Sequence, residues 1–222
     1  SISTYAPLLS LARINSSNEN FMPVSKIAVI GGGSFGTVVA NIIAQNGYNV
    51  RFWMRSEELV EEINEVHENK QYLPGYSLDE KVVATANMVE AVTGSEIIFV
   101  AVPSSSFRQV VKDLVSYGAE SAILVSTTKG VESGTFLLMS QIMEQEAPQA
   151  RVGVLSGPNL AKEIAKNHIT GTVVASNHGD VREIVKSVLK SQFFRVYTND
   201  DMFGVELGGS LKNIYAIIAG IA

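Results

Sequence analysis

From Lys26 onward, short apolar runs alternate with segments whose apolar residues recur at helical spacing. The runs at 26–30, 49–53, 81–85, 96–102, 122–126, 152–155, 170–176 and 194–197 read as strands. The segments at 37–45, 57–66, 107–116, 135–146, 160–165 and 180–189 read as helices, with a further short helix ending near Gly94. Strand and helix alternate without an internal repeat, which predicts an α/β, doubly wound fold on a parallel or mostly parallel sheet. Ile97 to Val102 is apolar without alternation, the mark of a strand covered on both faces. Residues 201–222 differ in character. Val205, Leu207, Leu211, Ile214, Tyr215, Ile217 and Ile218 spread around a helix rather than along one stripe, so that helix requires cover on most sides. Glu206, Lys212 and Asn213 stand among them.

The first strand runs into Gly31-Gly32-Gly33-Ser34-Phe35-Gly36, and a helix begins directly afterwards. A strand, a tight turn and a helix start give G-x-G-x-x-G its mechanical meaning. Gly31 permits the turn, Gly33 lets a pyrophosphate approach the backbone, and Gly36 lets the helix pack close to the strand. The free N–H groups and the positive dipole end of that helix then hold the phosphates. The alternation and this turn together predict a Rossmann-type nucleotide-binding layout.

About 20 residues past the glycines, NAD-specific proteins carry an acid for the ribose 2′-hydroxyl. Here Arg55 and Ser56 occupy that place, and no acid comes before Glu57. A guanidinium there attracts a 2′-phosphate, which favours NADP over NAD. Pro103-Ser104-Ser105-Ser106 reads as the cap of a helix over 107–116, and a cofactor contact there is equally consistent. Lys129, in Thr127-Thr128-Lys129-Gly130, follows a buried strand and would lie in the ligand crevice, although a surface turn fits the pattern as well. Lys212 sits amid apolar residues; it reads either as a desolvated acid–base group or as a lysine whose stem lies along apolar surface.

The net charge of −5 and pI near 5.3 argue against a nucleic-acid surface. The absence of cysteine excludes disulfides and thiolate chemistry. His67, His168 and His178 lack metal-ligand spacing, so no metal site is expected. No run implies a membrane span, and a cytoplasmic protein is the default expectation. Residues 1–24 read as a loose N-terminal extension, rich in Ser and Asn and without the basic start of a signal peptide.

Four motifs, in order, carry a more specific resemblance: Gly31-Gly32-Gly33-Ser34-Phe35-Gly36-Thr37, Thr128-Lys129-Gly130, Ser156-Gly157-Pro158, and Gly204-Val205-Glu206-Leu207-Gly208-Gly209-Ser210-Leu211-Lys212-Asn213. From about Ser25 to Ala222 the chain resembles bacterial NAD(P)H-dependent glycerol-3-phosphate dehydrogenase. The resemblance implies a dinucleotide-binding domain over 25–200, with 201–222 opening an all-helical substrate domain whose remainder does not follow in this sequence. It implies reversible reduction of dihydroxyacetone phosphate, a small phosphorylated triose, to sn-glycerol 3-phosphate for phospholipid synthesis. NADPH is the implied cofactor, with NADH possible.

By the same resemblance Ser34 and Phe35 bind cofactor on the glycine turn, Arg55 reads the 2′-phosphate, and Tyr72 is a second candidate nearby. Lys129 contacts cofactor and substrate, Gly157 and Asn159 lie where substrate binds, and Ala161 lies where the cofactor is touched. Asn159 stands where the family often carries Ser or Thr. Lys212 matches the catalytic lysine, with Asn213 beside it in the substrate site, and the charge of Lys129 would favour a neutral amine on Lys212. The expectation for the 222-residue chain is nucleotide binding with little or no turnover. Its apolar closing helix is expected to promote self-association, hence a homo-oligomer. Two alternatives remain open: a non-catalytic nucleotide-binding module, and a related opine or β-hydroxyacid dehydrogenase.

Overall fold

The computed structural model describes Val24 and residues 26–221, the side chains of residues 213–217 and 221 excepted. The expected extension over 1–24 therefore lies outside the described residues apart from Val24, which packs against the core. In chain order the elements are β1 (Lys26–Ile30), α1 (Ser34–Gln45), β2 (Asn49–Trp53), α2 (Glu57–Val66), β3 (Val82–Thr85), α3 (Met88–Val92), β4 (Ile97–Val100) and α4 (Ser104–Ser116). They continue with β5 (Ile123–Ser126), α5 (Met139–Glu146), β6 (Arg151–Ser156), α6 (Ala161–Ala165), β7 (Thr170–Ala175), α7 (Gly179–Leu189), β8 (Phe194–Asn199) and α8 (Met202–Ile221).

The strands form one sheet in the order β3-β2-β1-β4-β5-β6-β7-β8. Every neighbouring pair is parallel except β6 with β7. The α/β doubly wound, mostly parallel expectation holds. The short α6 between β6 and β7 packs on α1 instead of carrying the chain across the sheet, and β7 returns antiparallel.

Central strands alternate between two cores. Ile27 and Val29 of β1, with Ile97 and Phe99 of β4, join one cluster. Ala28 and Ile30, with Ile98 and Val100, join the cluster on the opposite face. All eight are fully buried, and burying one Ile or Phe side chain contributes about 1.5–3 kcal/mol.

Helix ends differ in a way that matters for the site. Ser56 caps α2 by accepting from Leu59 N at 3.2 Å, and Asn87 caps α3 by accepting from Val89 N and Glu90 N. Neither α1 nor α4 has a side-chain cap. Ser104 to Ser106 therefore form the first turn of α4 rather than its cap, and Pro103 is the capping residue. The helix expected from residue 135 begins at Met139 instead. Gly134 and Phe136 both have positive φ, and Val131 pairs with Leu138, so this stretch is a closed excursion. Arg108 of α4 clamps it with two 2.7 Å bonds to Glu132, and also bonds Glu146 of α5.

Candidate active site

The strand order reverses between β1 and β4, and ligands of such sheets sit beyond the carboxyl ends of the strands at that point. The glycine turn fills this place. Gly31 has φ +123°, and a Cβ there would stand 2.3 Å from the Ala101 carbonyl oxygen. A Cβ on Gly36 would stand 2.0 Å from the Gly31 carbonyl oxygen, whereas one on Gly33 would meet nothing within 4 Å. The turn is thus closed on two sides and open at Gly33. α1 begins there without a side-chain cap or an acid in its first turn, so its free N–H groups are available to an anion. That cradle fits a pyrophosphate.

The turn is braced from behind. Buried Asn69 donates to Gly32 O at 2.9 Å and to Thr37 Oγ1 at 2.8 Å, and it accepts from Tyr72 N at 3.1 Å. Ser34 Oγ donates to Tyr72 O at 2.7 Å, and Thr37 Oγ1 donates to Gly33 O at 2.9 Å.

In front of the turn lies a cleft of about 1240 Å³. Gly31, Gly33, Phe35 and Gly36 line it, as do Arg55 after β2, Tyr72 from the loop after α2, and Lys129 after β5. Arg55 is exposed at the cleft wall beside Ser56. Met54 and Leu59 line the same region, giving it an apolar wall next to the cation. Thr128 Oγ1 donates to Val102 O at 2.7 Å and ties the ends of β4 and β5 together.

Beyond Lys129 a second group of residues closes on the cleft end. Lys129 Nζ donates to Gly157 O at 3.1 Å. Although Lys129 keeps much of its surface in solvent, partial desolvation, then the charge and contact of Lys212, lower its pKa. The two lysines of the sequence motifs are therefore near enough for the charge of Lys212 to act on Lys129. Asn159 Nδ2 donates to Thr172 Oγ1 at 2.9 Å, while its buried Oδ1 has no partner. Gly157 is tightly placed, since a Cβ there would lie 3.0 Å from Gly171 O. Ala161 does not join this group: it packs against the core at the start of α6, away from the cleft lining. The side chain of Asn213 lies outside the described residues.

Several residues here carry no role in the sequence reading. Asn69 braces the turn, Asn87 both caps α3 and lines the cleft, and Glu206 and Ser210 fasten α8. Glu206 and Ser210 stand inside the last quoted motif, so the signal was present without its meaning. Among the described residues no group of three His, Asp or Glu could hold a metal ion, and no helix is long and apolar enough to cross a membrane.

The family model for the NAD-dependent glycerol-3-phosphate dehydrogenase N-terminus matches residues 26–182. The chain belongs to this family. It is 51% identical over 197 residues to a glycerol-3-phosphate dehydrogenase [NAD(P)+] of Teredinibacter turnerae, covering 89% of this chain and 58% of that protein. It is 53% identical over 196 residues to the enzyme of the same name from Pseudomonas fluorescens, covering 88% and 57%. The crystal structure of glycerol-3-phosphate dehydrogenase from Coxiella burnetii superposes with a TM-score of 0.83 at 36% identity, covering 89% of this chain and 60% of that one. The chain spans a little under three fifths of the length of these curated relatives.

Proposed function

We infer that this chain carries the nucleotide-binding part and the reactive lysine of a dehydrogenase that reversibly reduces dihydroxyacetone phosphate to sn-glycerol 3-phosphate, with NADPH as the favoured nucleotide and NADH also accepted. One observation carries the reading: Lys129 lines the end of the glycine-turn cleft, and the charge of Lys212 on α8 is felt there. The relatives named above, and the family itself, support it. Residues 25–200 form the nucleotide domain, and 201–222 open the substrate domain. The reaction supplies phospholipid synthesis in the cytoplasm.

When bound, the nicotinamide supplies or takes the hydride. The chain's own residues do the rest. The first-turn N–H groups of α1 would hold the pyrophosphate, with Ser34 and Phe35 beside it on the glycine turn. Arg55 would pair with the 2′-phosphate, with Tyr72 a second candidate in the same cleft. Reduction of a ketone places negative charge on its oxygen, and the Lys212 ammonium stabilises that charge and donates the proton. In the oxidation direction the Lys212 amine accepts the hydroxyl proton. Lys129 draws the anionic substrate toward Lys212. Gly157 and Asn159 mark the substrate position, and Asn213 is assigned to it through the motif it shares with the family.

The test is a titration of the 222-residue chain with NADPH and NADH, followed by nucleotide fluorescence, together with a turnover assay on dihydroxyacetone phosphate. The expected result is tighter binding of NADPH, with little or no turnover by this stretch alone and robust turnover by full-length protein. Failure to bind either nucleotide would overturn the reading. Turnover of 2-keto acids by full-length protein in place of the triose phosphate would transfer it to the opine or β-hydroxyacid dehydrogenases. The stretch is also expected to self-associate through α8, where Ile218 is 59% exposed; a monodisperse monomer in sedimentation would refute that.

A further inference from the structure

Leu138, a buried apolar residue, is the N-cap of α5 and offers no side-chain acceptor to the first-turn N–H groups; the helix's own Gln141 Oε1 accepts from Leu138 N at 2.9 Å, and no acid stands in the first turn. The missing acceptor comes from α8, 66 residues along the chain. Glu206 is 4% exposed, and its carboxylate accepts from Ser140 N at 3.1 and 3.3 Å and from the Ser140 hydroxyl. The Met139 N–H also points to it. An anion over the first turn of a helix satisfies orphan N–H groups and complements the dipole.

The next turn of α8 is fastened to two other elements. A Cβ on Gly209 would stand 2.1 Å from Ser156 Oγ at the end of β6, so the helix lies against that strand end. Ser210 Oγ accepts from Gly130 N at 3.1 Å and donates to Glu206 O at 3.0 Å. Gly130 is the neighbour of Lys129, whose ammonium reaches Gly157 O. Lys212 sits six residues past Glu206, about 9 Å along the helix axis.

We propose that Glu206 is the positioning residue of the lysine pair: by capping α5 it fixes the rotation and height of α8 and thereby holds Lys212 against Lys129. This rests on the reading of Lys212 as the reactive lysine. Met202 and Val205 pack the start of α8 into the core, and Gly209 and Ser210 hold its next turns against β6 and Gly130; the buried carboxylate adds the link to α5. Burial raises its pKa while the Ser140 contacts pull it back down, with Glu144 the nearby charge acting upward. Glu206 touches neither the cleft nor either lysine, so it acts only through the helix it sits on.

The experiment uses full-length protein with Glu206→Gln, Ser140→Ala and Lys212→Met variants. Three quantities are read: kcat and KM for dihydroxyacetone phosphate, the Kd for NADPH, and the titration of Lys129 by carbon NMR on methylated lysines, assigned with Lys129→Arg. Glu206→Gln is expected to lower kcat at least tenfold while the NADPH Kd stays within twofold. Ser140→Ala, which keeps the backbone donor, is expected to lie between it and wild type. In both variants the Lys129 titration should move up toward an ordinary lysine, as it does in Lys212→Met. A folded Glu206→Gln protein with wild-type kcat and an unmoved Lys129 would overturn the proposal. So would a kcat loss that tracks melting temperature while Lys129 stays where it was. If wild-type protein binds NADPH but does not reduce the triose phosphate, the dehydrogenase reading falls, and the Lys129 titration still decides the positioning.

Discussion

Two alanine substitutions three residues apart, at Gly33 and Gly36, separate the folding of the glycine turn from its use. A Cβ on Gly36 would lie 2.0 Å from Gly31 O, and ordinary contact begins near 3.4 Å, so the start of α1 or the Gly31 carbonyl must move by about 1.4 Å. Gly31 cannot yield freely, because its N–H is held by Trp53 O at 2.9 Å. Overpacking of this kind costs about 1–3 kcal/mol, and the better helix propensity of alanine offsets up to about 1 kcal/mol. The net loss is then at most about 3 kcal/mol; a mid-range value of about 1–2 kcal/mol lowers the melting temperature of a chain this size by roughly 2–8 °C. The same displacement moves the first-turn N–H groups of α1, so Gly36→Ala should also lose nucleotide affinity. Gly33→Ala is the control. Its φ of −74° and ψ of 174° suit any residue, and the added methyl meets no protein atom. Melting should therefore stay within about 2 °C of wild type, while the methyl stands where a phosphate approaches and NADPH binding weakens at least tenfold, about 1.4 kcal/mol. Circular dichroism melts and fluorescence titrations read the two effects. NADPH binding by Gly33→Ala at wild-type strength would show that the open face of Gly33 does not receive the phosphate. A Gly36→Ala protein that melts and binds like wild type would sink the close-packing argument.

Arg55→Ala should weaken NADPH binding by about tenfold or more, the worth of one charge-assisted contact, and leave NADH within twofold; equal losses for both nucleotides would remove Arg55 from the 2′-phosphate. Lys212→Ala in full-length protein should abolish turnover while NADPH still binds, and surviving turnover would move the proton-transfer role elsewhere. Arg108 and Thr135 hold the Glu132 carboxyl down to about 2, from an ordinary 4.5. A depressed carboxylate stabilises the fold above its unfolded pKa, and that contribution fades as pH falls from about 4.5 to about 2. The stability gap between wild type and Glu132→Gln in urea titrations should accordingly be widest near neutral pH and close toward pH 2; a gap independent of pH would count against the Arg108 clamp.

Much of this architecture is local and therefore readable along the chain. β1, the glycine turn and β2 fall where the apolar runs put them, and α1 ends at Gln45 as expected while starting earlier, at Ser34, because turn chemistry and burial on both faces act within a few residues. The direction of β7 was not readable, since whether a short helix crosses the sheet depends on where it packs, and α6 packs on α1. The start of α5 was misjudged for a similar reason. Phe136, Leu137, Leu138 and Met139 look like one helical apolar run, but Arg108 holds Glu132 and closes a loop through them. Of the candidate site, the glycines, Arg55, Tyr72 and Lys129 do meet in one cleft, whereas Ala161 stands apart. Glu206 is visible in sequence only as an acid among apolar neighbours. Its partner Ser140 lies far away along the chain, and no periodicity links the two.

The Asn69 brace has a kinetic consequence. With its amide held between Gly32 O and Thr37 Oγ1, and with Ser34 fastened to Tyr72 O, the glycine turn keeps its shape before any nucleotide arrives. A receptor of that kind spends little entropy on ordering itself at the encounter. Association should then be governed by diffusion and by the pull of the α1 dipole on a polyanion, and differences in affinity among nucleotides should surface as differences in residence time.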